Sequence, residues 1–182
     1  MIILTDVDHT ISDAFWRDSM IGVNPWDEYH EESKHDKPFR KVVNLLNSLS
    51  SVGYTIIGLT GRNEKFRLLT TNWFLRYKVD IHEMLMRPDD NFVKNALLKL
   101  QLVEQRFNGD YSDIHFLIDD NEDAAIEFFK MGISTLQVRN IGDHNGRTNS
   151  RSDNGRTVGG PNNGHKNGRD SSSNNEGEKR EF

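Results

Sequence analysis

Three short apolar runs in this chain end abruptly in polar groups. "MIILT" runs into Asp6-Val7-Asp8, "YTIIGLT" leads into Thr60-Gly61-Arg62, and "IHFLI" is followed by Asp119-Asp120. Short runs of this kind, rich in β-branched residues, read as buried strands. Between them the apolar residues fall at helical spacing. In "KPFRKVVNLLNSLSSVG" the apolar positions are Phe39, Val42, Val43, Leu45, Leu46 and Leu49, opened by Pro38 and closed by Gly53. "NEKFRLLTTNWFLRY" reads as a second helix, and "DNFVKNALLKLQLVEQRF" as a third, capped by Asp90 or Asn91. "NEDAAIEFFKMG" is a fourth, ending at Gly132, and "HEMLMR" and "STLQV" complete the strands. Strands alternating with helices imply an α/β fold, a three-layer Rossmann-like parallel sheet with helices on both faces. Such sheets bind ligands beyond the carboxyl ends of their strands, at a topological switch point. The polar groups that follow the three runs would therefore share one rim.

Composition divides the chain unevenly. From about Gly142 the sequence is Gly, Asn, Ser, Arg and Asp, with "NGR" recurring in "HNGRTNS", "DNGRTVGG" and "KNGRDSSS". Such a segment buries too little apolar surface to offset its chain entropy, so residues 142–182 are expected to be a disordered tail. Residues 1–141 are expected to form the folded domain, with 12–38 as a short cap or lid insert. The net charge is −5, which excludes a general basic nucleic-acid coat protein. No cysteine is present, so disulfides and thiolate metal sites are excluded. "MIIL" is too short for a signal peptide or membrane span. A cytoplasmic protein with no membrane association and no obligate protein partner is the expectation.

The rim itself is acidic. Carboxylates gathered in one crevice raise one another's pKa or require a cation. Oxygen ligands without cysteine suit Mg²⁺. Acids, Mg²⁺, a lysine and an arginine together point to phosphoryl chemistry, in which a protein mainly positions and neutralises. No "GxxxxGK[ST]" loop occurs, so water is the expected acceptor.

The motifs resemble those of the haloacid dehalogenase (HAD) superfamily of phosphohydrolases. "DVDHT" looks like its first motif, Thr60 its second, Lys94 in "RPDDNFVKNALL" its third and "LIDDNED" its fourth, in order over roughly residues 1–140. Within that superfamily, "WDEYHEESKHDKP", "GLTGR", "MRPDDNFVK" and "IDDNEDAA" resemble the 3′-phosphatase domain of phage-type polynucleotide kinase–phosphatases. The resemblance implies catalytic roles for Asp6 as nucleophile, Asp8 as general acid and base, and Lys94 as the neutralising cation. Lys94 is preferred to Lys99 because it sits in the first turn after "RPDDN", close to the rim. Thr60, Gly61 and Arg62 would bind substrate phosphate. Asp6, Asp8 (through its backbone carbonyl), Asp119 and Asp120 would hold the metal. Asp123 is an alternative to Asp120, or a first-turn acid favoured by the helix dipole. Thr10 orders the loop. His9 stands where a turn prefers glycine and is expected to be tolerated rather than catalytic.

Other residues receive plainer readings. His30 and His35 lack metal-pair spacing. Glu31, Glu32 and Asp36 are expected on a solvated face, and Trp73, Phe128 and Phe129 in the core. Trp16 and Trp26 are expected to pack a small lid in preference to stacking a base. About 25 residues separate "DVDHT" from "KPFRK", too few for a large cap, so the site is expected to be open and the cap minimal. Openness favours a phosphorylated nucleotide or nucleic-acid end as substrate, with 3′-phosphate removal as the leading activity. The alternatives are a nucleoside 5′-monophosphatase, a general small-molecule phosphatase, or a non-catalytic binding module of the same fold.

Overall fold

The computed structural model of the protein describes residues 1–140, and the expectation for segment 142–182 lies outside them. In chain order the elements are β1 (Ile2–Thr5), β2 (Ser12–Asp13), α1 (Trp26–Glu31), β3 (Lys37–Pro38), α2 (Arg40–Ser51), β4 (Thr55–Asn63), α3 (Arg67–Tyr77), β5 (Glu83–Arg87), α4 (Asn95–Phe107), β6 (Ile114–Asp119), α5 (Glu122–Lys130) and β7 (Thr135–Gln137). Five strands form one parallel sheet in the order β5-β4-β1-β6-β7. The chain builds outward from β1 to one side and then crosses to the other. The switch point therefore lies where β1, β4 and β6 end side by side.

Alternation along the strands separates two apolar layers. Ile3, Ile56 and Ile118 face Val43 and Leu46 of α2 and Trp73 and Phe74 of α3. Their neighbours Leu4, Ile57 and Leu117 face Val103 of α4 and Phe128 of α5. Successive side chains of a strand point to opposite faces, so each strand feeds both layers. A sheet covered on both faces is thus the consequence of strands that are apolar throughout. Among the described residues no helix is long and apolar enough to cross a membrane.

Two boundaries and one burial differ from the sequence reading. Strand β4 continues through Asn63, so Thr60, Gly61 and Arg62 belong to its extended end rather than to a following loop. Helix α4 begins at Asn95, after Lys94, and not at Asp90 or Asn91. Phe128 is buried as expected, whereas Phe129 is exposed, because only one of two adjacent helical residues can face the sheet.

The segment 12–38 is compact. β2 and β3 pair antiparallel, Ser12 opposite Pro38, which returns the chain to its starting point. A 3₁₀ turn over Phe15–Met20, helix α1 and a second 3₁₀ turn over Glu32–His35 fill the space between.

Candidate active site

Strand alternation decides which side chains meet at the rim. Asp6 follows β1 with the parity of Leu4, and Asp119 ends β6 with the parity of Leu117. Both carboxylates therefore point to the layer containing α4. That helix presents Lys99 on the same stripe as Val103, one turn on. The Lys99 ammonium lies 2.7 Å from Asp6 Oδ1 and 2.7 Å from Asp119 Oδ2. Lys94 is not brought to the crevice. It occupies the residue before α4, its side chain is 81% exposed, and its nearest acid is Asp123 at 3.9 Å. The later start of α4 is the reason: it leaves Lys94 on the loop and turns Lys99 inward. Asp123 is exposed with Lys94, away from the acidic floor.

Asp120 completes that floor. Ligand oxygens of Asp6, Asp119 and Asp120 lie within 4.8 Å of one another. Thr10 ties the group together: its hydroxyl is 3.2 Å from Asp6 Oδ2 and 3.3 Å from Asp120 Oδ1, and it accepts from the Asp120 amide at 3.0 Å. Three carboxylates, if all were ionised, would leave a surplus of two negative charges against one ammonium. An all-oxygen donor set with that surplus fits a hard divalent cation. Burial, with the neighbouring Asp119 and Asp120 charges, outweighs Lys99 and pushes the Asp6 pKa up to about 8. Burial and the adjacent Asp119 also raise that of Asp120.

A second cluster lies on the opposite face. Thr60 and Arg62 share the parity of Ile56, and so point toward α3 rather than α4. Both are fully buried behind the crevice wall. Arg62 clasps Asp8, with Nε 3.0 Å from Oδ2 and Nη2 2.6 Å from Oδ1. It also donates to Thr70 of α3 at 3.2 Å. The Thr60 hydroxyl accepts from the Arg62 amide at 3.2 Å.

Arg17, which the sequence reading did not single out, holds Asp8 from the other side. Its guanidinium also donates to both oxygens of Asp36, at 3.0 and 2.9 Å, and stacks over the Tyr29 ring. Asp36 is consequently buried and not on a solvated face. The β2–β3 ladder carries it to Ser12, whose hydroxyl donates at 2.9 Å, and the Trp16 indole donates to it at 2.8 Å. Trp16 therefore packs, as expected. Burial would raise the Asp8 pKa, but the Arg62 and Arg17 guanidiniums overcome it and hold Asp8 well below the usual carboxylate value. The Asp8 side chain thus stands apart from the metal-type cluster.

Gly61 has the opposite parity and faces α4. A Cβ there would lie 2.4 Å from Asn95 Oδ1, so any larger residue must push the Asn95 carboxamide aside. His9 has φ +63°, a left-handed conformation that explains the preference for glycine at this turn. Its ring is held by Asp18 at 3.0 Å and by Phe15 at a centroid distance of 4.5 Å. These clusters border a crevice of about 740 Å³, with Asp6, Asp8, Asp120 and Gly61 on its floor.

Residues 1–144 match the sequence profile of a family described as the polynucleotide kinase PNKP phosphatase domain. Among solved structures, the chain is similar to one described as the Pnkp1/Rnl/Hen1 complex. Identity is 25% and the TM-score 0.64, over 78% of this chain and 46% of that one. It thus spans about half the length of that neighbour. A predicted phosphatase from Clostridium acetobutylicum shares the fold at 15% identity and TM-score 0.56, over 75% of this chain and 83% of the other. So does the haloacid dehalogenase-like hydrolase SP0104 from Streptococcus pneumoniae, at 14% identity and TM-score 0.53, over 76% and 84%. A comparison with curated protein sequences finds no match.

Proposed function

Because this chain belongs to the family of polynucleotide kinase PNKP phosphatase domains, and so is a phosphatase of the HAD type, we propose that it is a Mg²⁺-dependent phosphomonoesterase that removes 3′-phosphates from nucleic-acid ends or nucleotides. The observation that carries the reading is the division of the site into two charge clusters. The Asp6–Asp119–Asp120 floor with Lys99 suits a metal and a nucleophile. The Asp8–Asp36 pair with Arg17 and Arg62 suits proton transfer beside phosphate.

Bound Mg²⁺ would neutralise phosphate oxygens and lower the repulsion between phosphate and the acidic floor. In the reaction proposed, Asp6 attacks phosphorus, and the bond from phosphorus to the leaving 3′-oxygen breaks. Asp8 delivers its proton to that oxygen. Water then attacks the aspartyl-phosphate, Asp8 takes the water proton, and Asp6 is released with inorganic phosphate. Lys99 holds the Asp6 carboxylate oriented and offsets charge during attack. The two guanidiniums keep Asp8 ionised, which suits its second task. Its first task requires a proton, and the proton that Asp8 takes from water in one turnover is the one it delivers in the next. Segment 12–38 serves as the minimal cap of a domain spanning 1–141.

The test is a substrate panel with purified protein and Mg²⁺: 3′-phosphorylated oligonucleotide, 5′-phosphorylated oligonucleotide, nucleoside monophosphates and a small aryl phosphate. Preferential release from the 3′ end is expected. Release from 5′-phosphates or the aryl phosphate alone would replace this reading with a general phosphatase.

A further inference from the structure

Among polar neighbours such as Asp27 and Lys65, the crevice lining carries three exposed apolar side chains. Ile21 is 48% exposed there, Trp26 59% and Phe92 93%. Single exposed apolar side chains are ordinary on any protein surface. These three border one crevice, and built structure holds the ring of Trp26 and the backbone on either side of Phe92.

Phe92 is displayed by Arg87. That guanidinium donates to the carbonyl oxygens of Asn91 and Val93, at 3.1 and 2.7 Å, and to that of Gly61 at 3.0 Å. The residues on either side of Phe92 are thus pinned to the end of β4. The Asn91 side chain also accepts from the Val93 amide at 2.9 Å. With its neighbours held in this way, the ring projects from the packed loop into the crevice.

Trp26 rests on an aromatic column. Its ring stacks on His30 at 5.9 Å and an interplanar angle of 25°, and meets Tyr29 edge-on at 5.4 Å. His30 lies 5.4 Å from the Phe66 ring, which is buried. His30 Nδ1 is buried without a hydrogen-bond partner among the described residues, a cost a protein rarely carries without return. Burial pushes the His30 pKa down to about 4, so the column is uncharged at neutral pH.

We propose that Trp26 and Phe92 form a nucleobase-stacking subsite, which holds the base of the phosphorylated nucleotide while its phosphate lies on the carboxylate floor. The inference rests on the 3′-phosphatase reading and adds the part of the substrate that the catalytic groups do not touch. A crevice of about 740 Å³ far exceeds what phosphate alone fills and suits a ligand of nucleotide size. Every base offers a π-face, so the subsite distinguishes base from no base rather than one base from another.

The experiment compares kcat/KM for two 3′-phosphorylated oligonucleotides with the full chain: one with a 3′-terminal base, one with that base removed. Affinities of both are measured in parallel by fluorescence anisotropy. Stacking of one base predicts a preference of roughly 5- to 150-fold for the base-bearing end. Trp26→Ala and Phe92→Ala should each cut that ratio, mainly through KM, and Trp26→Phe and Phe92→Tyr should restore most of it. A wild-type ratio near one, or equal losses on both ends, overturns the subsite. If neither end is hydrolysed, the 3′-phosphatase reading fails, and the affinity ratio alone upholds or overturns the subsite. A wild-type dimer that the alanine variants convert to monomer would assign the two rings to a second copy of the chain and overturn it too.

Discussion

Replacing Lys99 by methionine tests the site where the structure departs most from the sequence reading. Methionine has similar length and no charge, so it fills the space while removing the ammonium. Asp6 and Asp119 would each lose a hydrogen bond of 2.7 Å, and both are buried. Breaking a buried ion pair from one side costs about 3–5 kcal/mol. Two hydrogen bonds to charged groups, at about 1.5–3 kcal/mol each, give a similar total of about 3–6 kcal/mol. With a urea slope of about 2 kcal/mol/M, the unfolding midpoint without divalent cation should fall by roughly 1.5–2.5 M. Saturating Mg²⁺ should recover part of this, since it supplies positive charge to the same carboxylates. The kcat/KM should fall by at least about 10²-fold, as for other lost electrostatic donors. Lys94→Met is the control: it should change stability by no more than about 0.5 kcal/mol and leave turnover within about threefold. Loss of activity in Lys94→Met with activity retained in Lys99→Met would refute the placement of α4 and the role given to Lys99.

Three further outcomes follow from the same geometry. Asp8 is held well below 3.8, so its stabilising contribution is present above about pH 4 and fades as pH falls through the folded value. Asp8→Asn should therefore lower stability at neutral pH and converge with wild type in acid, as read by urea melts across pH. His9→Gly should relieve a left-handed conformation worth about 1 kcal/mol while losing the Asp18 contact. Asp18 raises the His9 pKa against the effect of burial, so that contact helps below about pH 6.5 and fades as pH rises through the folded value. Turnover of His9→Gly should stay within about tenfold of wild type, and a loss as complete as that of Asp6→Asn would make His9 catalytic. Gly61→Ala should push the exposed Asn95 carboxamide aside and change kcat/KM by no more than about tenfold, and a second change, Asn95→Ala, should remove that loss by making room.

The alternation of apolar runs and helical spacings was enough to read the sheet, because β1, β4 and β6 are apolar on both faces and end in polar residues. The acids of the floor were legible for the same reason: Asp6, Asp119 and Asp120 follow strands directly. What misled the reading was a helix boundary. Asp90 and Asn91 look like caps, yet the chain spends them on the turn that displays Phe92, and α4 starts only at Asn95. A signal for Lys99 existed, since it lies on the stripe of Val103 and Phe107 that packs against the sheet. Arg17 and Asp36 were not legible, because their partnership depends on the β2–β3 pairing across a segment without periodic pattern.

The covalent step is the centre of the account, and acid-quenched single turnover with mass spectrometry addresses it directly. With a small aryl phosphate, whose leaving oxygen needs little protonation, and Mg²⁺, Asp8→Asn should slow chiefly the hydrolysis of the intermediate. A hydroxylamine-sensitive phosphoryl group should then be found on the peptide that carries Asp6. Phosphate released with no such adduct, or an adduct on another residue, would contradict the assignment of Asp6 as nucleophile.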